Sequence, residues 1–173
     1  MKLISCSLAH HATAILAILN HAILDSTALY EYRPLPPESM GPWFRAKTEA
    51  SFPVLGMESD SGELLGFATY GTFRARPAYK YSIEHSVYVT AGHQGRGIGS
   101  TLMRELIRTA IVQDRHVMIG GIDAGNAGSI AFHRKLGFEH AGTIRQAGYK
   151  FGRWLDLAFY QLILPAPATP VEG

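Results

Sequence analysis

Ser86-Val-Tyr-Val-Thr-Ala-Gly-His-Gln-Gly-Arg-Gly-Ile-Gly-Ser-Thr-Leu-Met103 is the stretch from which the fold is read. A β-branched and aromatic run ends at Val89. Alternating glycines follow at Gly95, Gly97 and Gly99, with Arg96 among them. Apolar residues then recur at helical spacing: Ile98, Leu102, Leu106, Ile107 and Ile111. A strand, a glycine-rich turn and a helix in that order make an anion site. The free N–H groups of the first helical turn point at the ligand, and the helix dipole favours negative charge. Glycine lets the backbone come close and adopt φ > 0. Two familiar phosphate-binding patterns do not fit. G-x-G-x-x-G/A, started at Gly95, meets Ser100 where the third small residue belongs, and no Gly-Lys-Ser/Thr occurs. The spacing that fits is Q-x-x-G-x-G, from Gln94 to Gly99.

Outward from this loop the chain reads as alternating strands and helices. Lys2–Ser7 suits a strand and Ala9–Leu24 a helix with an apolar stripe. Pro34, Pro36 and Pro37 exclude a regular helix from the following segment, which carries Tyr30, Tyr32 and Arg33 and suits a pocket wall or a solvated connection equally. A second helix is expected over Glu38–Ala50. Asp60-Ser61-Gly62 is a turn joining Val54–Glu58 to Leu64–Phe73. Arg74–Lys80 is a loop, Tyr81–Val89 a strand, Gly97–Val112 a helix and His116–Gly120 a short buried strand. Asn126–Leu136 is a helix closed by Gly137. Phe138–Ile144 and Trp154–Leu164 are the last strands. The order β-α-α-β-β-β-α-β-α-β-β describes one α/β domain over residues 1–164 with a mixed, mostly antiparallel sheet flanked by helices. Residues 165–173, with three prolines and no periodicity, are expected to fray.

Composition narrows the partners. The 173 residues are 47% hydrophobic and 17% charged, as in globular proteins. A formal net charge of +2 gives no argument for nucleic acid. No apolar run reaches the roughly 18 residues of a membrane span. Ser7, Cys6 and two histidines interrupt the N-terminal apolar region and no A-x-A site follows, so the expectation is a cytoplasmic protein without a signal peptide. The one cysteine, Cys6, rules out an internal disulfide and reads as a core or near-core residue. Eight scattered histidines show no metal-ligand spacing, and no metal is expected.

The loop from Gln94 to Gly99 resembles the pyrophosphate loop of the GNAT superfamily of N-acetyltransferases. The segment Asn126-Ala-Gly-Ser129 through Leu136-Gly137-Phe138 is similar to a second motif of that superfamily. Tyr81–Val89 and Gly148–Asp156 resemble the phosphinothricin and methionine sulfoximine acetyltransferase branch, which acetylates the α-amino group of small amino-acid analogues. The likeness runs from about Ile4 to Leu164. It implies acetyl-coenzyme A as co-substrate, a small amino-acid-like substrate and a homodimer whose interface includes Lys150–Trp154 and the last strand.

The resemblance also implies roles. Glu84 is the general base, acting through water. In the wider superfamily a tyrosine on the later helix protonates the leaving thiolate, and His133 stands at that place here. Backbone groups of Val87, Tyr88 and Val89 pair with pantetheine like an added strand. N–H groups from Gly95 through Gly97, Ile98, Gly99 and Ser100 hold the pyrophosphate, with Arg96 adding charge. Asn126 and Ser129 face the cofactor. Physical chemistry supports part of this. An α-ammonium group needs a base at pH 7. Period-two alternation puts Glu84, Ser86 and Tyr88 on one face of a strand, opposite His85 and Val87. A carboxylate in an apolar strand is costly unless solvated, paired or used. For the substrate carboxylate, Arg74 is the first candidate and Arg76 the second, with Ala75, His85 and Ser86 beside them. Relatives carry an acidic residue and Trp where this chain has Thr72 and Phe73. Two other readings are an acetyltransferase for another amine and a non-catalytic acyl-coenzyme A sensor. Arginine-rich loops disfavour a polyamine, and Glu84 disfavours the sensor.

Overall fold

A computed structural model describes residues 1–172. Its strands are β1 (Lys2–Ser5), β2 (Val54–Glu58), β3 (Leu64–Thr72), β4 (Ser82–Val89), β5 (Val117–Asp123), β6 (Glu139–Lys150) and β7 (Arg153–Ile163). The helices are α1 (Leu8–Asp25), α2 (Met40–Glu49), α3 (Ile98–Val112) and α4 (Ala127–Lys135). Short 3-10 turns occupy Pro37–Ser39 and Pro77–Tyr79. The strands are hydrogen-bonded in the order β1-β2-β3-β4-β5-β7-β6. β4 and β5 run parallel, in register Glu84 to Ile119, which demands a crossover, and α3 supplies it. Element order and sheet type agree with the sequence reading.

The described chain forms two compact units, with β3 and β4 contributing to both. The first comprises Met1–Tyr70 and Ser86–Leu106. Its core joins Ile15, Ile18 and Leu19 of α1 to Met40 and Phe44 of α2 and to Val54, Leu64 and Phe67 of the sheet. Period 3.6 in α1 and apolar runs in β2 and β3 converge on that one cluster. Asn20 ties down the proline-rich loop: its amide donates to the Leu35 carbonyl (3.0 Å) and its oxygen accepts from the Leu35 N–H (2.7 Å). Cys6 lies against Gly56, and burial pushes its thiol up to about 12, which makes it unreactive.

The second unit comprises Gly71–His85 and the chain from Ile107 onward. Here β5, β7 and β6 form an antiparallel ladder around Ile119, Ile122, Leu155, Ala158 and Tyr160, all buried. Gly137 ends α4 with φ +92°, as its position after Leu136 predicts.

Three expectations are corrected. β5 does not stop at Gly120; it continues through Gly121 to Asp123. β6 does not stop at Ile144 but runs to Lys150, turning into β7 through Phe151 (φ 51°) and Gly152 (φ 74°). A register shift between Ile144 and Gly148 breaks the period-two pattern that the sequence reading followed, and Asp156 stabilises it by accepting the Gln146 N–H (2.8 Å). Finally, α2 begins at Met40 rather than Glu38, because Pro37–Ser39 forms a 3-10 turn. Within residues 165–173, expected to fray, two defined contacts occur: His116 Nδ1 meets the Ala166 carbonyl (2.8 Å), and the Val171 N–H donates to the Tyr81 hydroxyl (3.0 Å). Gly173 lies outside the described residues.

Candidate active site

The site residues expected from the sequence fall into two groups. The first follows β4. The loop between Val89 and Ile98 is exposed, and Gly92, Gly95 and Gly97 have φ of 81°, 76° and 81°. A Cβ at any of the three would meet nothing within 4 Å, so conformation rather than crowding demands glycine there. Gln94 braces the loop from within. Its side-chain oxygen accepts the Gly92 N–H (2.9 Å) and its amide donates to the Val89 carbonyl (3.4 Å). That is a physical reason for the glutamine of the Q-x-x-G-x-G spacing. Arg96 is exposed and meets His93 Nδ1 at 3.0 Å. Ile98 is buried and anchors the start of α3, so its first-turn N–H groups face the loop without intrahelical acceptors. Tyr88 turns its ring into the core against Phe67 (centroids 5.4 Å), and Gly66 leaves room for the Tyr88 carbonyl, which a Cβ would approach to 2.6 Å. Val87 and Val89 are half-buried.

The second divides between the two faces of β4, with Glu84 and Arg74 on one and His85 and His133 on the other. Glu84 is half-buried on β4. Burial raises its carboxyl above the ordinary range, and the Arg74 charge pulls it back down. Arg74 is exposed, with its guanidinium 5.2 Å from the Phe73 ring centre, and Phe73 packs edge-on to Tyr79 and Phe159. Phe73 is thus a platform that orients Arg74. Ala75 and Arg76 are exposed on the same loop, and Ser86 is half-buried one step beyond His85.

His85 faces the other way, as alternation requires, and is 7% exposed. Its ring stacks on that of His133, which is 3% exposed. Phe138 closes the pair edge-on from β6's approach. Burial pushes His85 down to about 3, with further depression from His133, and it lowers His133 as well. Burial thus favours the neutral form of both imidazoles, while the Ser129 carbonyl works against it at His133. Asn126 caps α4, its side-chain oxygen accepting the Ser129 N–H at 2.9 Å. Ser129 lends its carbonyl to His133 Nδ1 (2.7 Å).

Sequence reasoning missed Gly120 and Gly121. They stand side by side on β5 and serve opposite faces. A Cβ on Gly121 would lie 3.2 Å from Glu84 Oε1, and one on Gly120 would lie 2.8 Å from His85 Nε2. Each glycine makes space for one of two consecutive β4 side chains. Paired glycines inside an apolar strand are the signal that could have revealed them.

The acetyltransferase (GNAT) family model matches residues 17–138. The chain is 43% identical over 157 residues to the L-methionine sulfoximine/L-methionine sulfone acetyltransferase of Pseudomonas paraeruginosa, covering 90% of this chain and 91% of that protein. It is 38% identical over 146 residues to the phosphinothricin N-acetyltransferase of Streptomyces coelicolor, covering 83% of this chain and 85% of that one. A phosphinothricin acetyltransferase of Sinorhizobium meliloti, solved in complex with AcCoA, is similar with a TM-score of 0.93 at 34% identity, over 99% of this chain and 94% of that chain.

Proposed function

The chain belongs to the acetyltransferase (GNAT) family, and on that premise we propose that it moves an acetyl group from acetyl-coenzyme A to the α-amino group of a small amino-acid analogue of the methionine sulfoximine, methionine sulfone or phosphinothricin type. The observation that carries the reading is Glu84: a half-buried carboxylate with its proton affinity raised, beside an arginine that is free to meet a substrate carboxylate.

The loop fits the co-substrate. Positive-φ glycines and the first turn of α3 offer N–H groups from Gly95 to Ser100 to a pyrophosphate, and Arg96 adds charge. Val87, Tyr88 and Val89 offer backbone groups to the pantetheine amides. Asn126 and Ser129 have local duties in α4, the Ser129 hydroxyl lying 3.4 Å from His133 Nδ1, and in this reading the Asn126 amide and the Ser129 hydroxyl also face the cofactor. When bound, acetyl-coenzyme A supplies the thioester carbon that is attacked and the thiolate that leaves.

Arg74 holds the substrate carboxylate, with Arg76, Ala75 and Ser86 shaping the approach. Glu84 takes a proton from the α-ammonium through water. Its raised proton affinity brings it closer to the operating pH and makes it a stronger base than an ordinary carboxylate. His133 stands at the place of the superfamily residue that protonates the leaving thiolate, and in this reading it takes that role. The enzyme works in the cytoplasm as a homodimer in this reading.

The test is an acetylation screen of free amino acids against their sulfone, sulfoximine and phosphinyl analogues, each paired with its carboxamide. Transfer to the acids and not to the carboxamides is expected. Equal transfer to both, or transfer only to polyamines or peptide N-termini, would overturn the substrate class.

A further inference from the structure

Phe159 meets both the base and the support of the arginine. β4, β5 and β7 lie side by side in the sheet, so a β4 side chain and a β7 side chain are kept apart by whatever stands between them on β5. Directly opposite Phe159 on β5 is Gly121. With no side chain there, Glu84 reaches in from one side and β7 from the other. A Cβ on Gly121 would lie 3.2 Å from Glu84 Oε1, 3.3 Å from Leu157 Cδ1 and 3.8 Å from Phe159 Cε1. Leu157 and Phe159 are half-buried, and they form an apolar wall on the β7 side of the carboxylate. Phe159 also meets Phe73 edge-on, with ring centres 6.3 Å apart and planes at 84°. Tyr79 braces Phe73 a second time, at 6.0 Å and 76°, and the Arg74 guanidinium lies 5.2 Å from the Phe73 ring centre. All of these residues belong to the second unit. Arg74 is the charge that acts on Glu84. Asp123, two positions beyond Gly121 on β5, is engaged by the Gly125 N–H (3.0 Å) and by Arg153 (3.5 Å).

We propose that Phe159 is a positioning residue for the acetyl transfer, one ring that holds the base Glu84 and the carboxylate anchor Arg74 in register; this rests on the reading of the site given above. The amine and the carboxylate of an α-amino acid hang on a single carbon. Their receptors must therefore stand at a fixed separation, and a misplacement of about 1 Å can cost about a hundredfold in rate. Neither receptor fixes itself. Arg74 is exposed on a loop, and its long side chain has many rotamers to lose. The Phe73 ring narrows that choice, and Phe159 holds the Phe73 ring. Glu84 extends over the gap at Gly121 toward the same ring. A strand inside the sheet thus sets the geometry for a group on a loop and a group on another strand, which is the more precise arrangement.

The test compares kcat/KM for methionine sulfone with kcat/KM for its carboxamide, and takes the ratio as the acid preference. Phe159→Leu keeps an apolar side chain and loses the ring edge. Its acid preference should fall about two- to tenfold, the worth of one edge-on aromatic contact. Phe159→Tyr keeps the ring and should keep the preference. In the Arg74→Ala protein, adding Phe159→Leu should change the preference no further. There the acid limb of the carboxamide profile should instead move to lower pH, because water reaches Glu84 and undoes the effect of burial. Equal losses for acid and carboxamide in Phe159→Leu would reduce the ring to packing. An unchanged preference would show that Arg74 needs no such support, and an acid limb that stays in place would detach Phe159 from the base. Any of these sinks the proposal. If Phe159→Leu does not fold, Phe73→Leu makes the same preference test from the other, half-buried ring. A parent protein that acetylates both compounds equally, or neither, would sink the reading of the site itself, and the proposal with it.

Discussion

Glu84 is under opposing demands. Burial favours its proton, Arg74 favours its charge, and Gly121 leaves it the space to be there. Glu84→Gln removes the proposed base and should cost about 10²- to 10⁴-fold in kcat. Its effect on stability has the opposite sign. A carboxyl with a raised folded-state pKa destabilises the fold once pH passes its unfolded value, because the folded state resists ionisation. A neutral amide escapes that penalty, so calorimetry at pH 8 should find Glu84→Gln melting above the parent. A lower melting temperature would mean that the carboxylate is a structural anchor. Arg74 is tied to the same group. Arg74→Ala should lose roughly ten- to a hundredfold in kcat/KM, the worth of a charge-assisted carboxylate pair. It also removes the influence that lowers Glu84. The acid limb of the kcat/KM profile, which rises as Glu84 ionises, should therefore move to higher pH. A limb that stays in place would show that the two charges do not communicate.

The glycine loop and α3 form the element whose purpose was plainest in the sequence. Gly97 has a φ of 81° and open space around it. Gly97→Val is therefore strained by its backbone and not by a clash, and a β-branched residue is the worst occupant of that region. Coenzyme A affinity measured by calorimetry should collapse in the variant, while circular dichroism reports a folded protein. Unchanged affinity would remove the loop from the binding site. Other elements were less legible. β5 read as ending at Gly120 yet runs on through Gly121 to Asp123, and the two glycines admit side chains from β4. β6 read as ending at Ile144 because a register shift hides its continuation. In both cases a local pattern was interrupted for a reason lying on a neighbouring strand.

At the scale of the whole molecule, β6 is an edge of the sheet and the β6–β7 hairpin exposes Ile144, Tyr149, Phe151, Trp154 and Ile163, each between 48% and 59% accessible. Five large apolar side chains on one hairpin are more than isolated surface residues require. The proposed homodimer covers them, so light scattering at micromolar concentration should give twice the 18.9 kDa of the chain, and Phe151→Asp with Trp154→Asp should give the monomer. A monomeric parent would refute the assembly. By itself the sequence determined the order and type of the elements, the glycine-rich loop before α3 and the stop at Gly137. These depend on periodicity, on glycine's freedom at φ > 0 and on capping, all properties of residues close together along the chain. Only the tertiary structure decided that Glu84 is half-buried beside Arg74, that Gly120 and Gly121 make room on opposite faces, and that His133 is not alone. His85 and His133 are 48 positions apart, and neither has a local pattern that names the other. Their protonation follows from burial and from a shared hydrogen bond, which exist only after distant segments have packed.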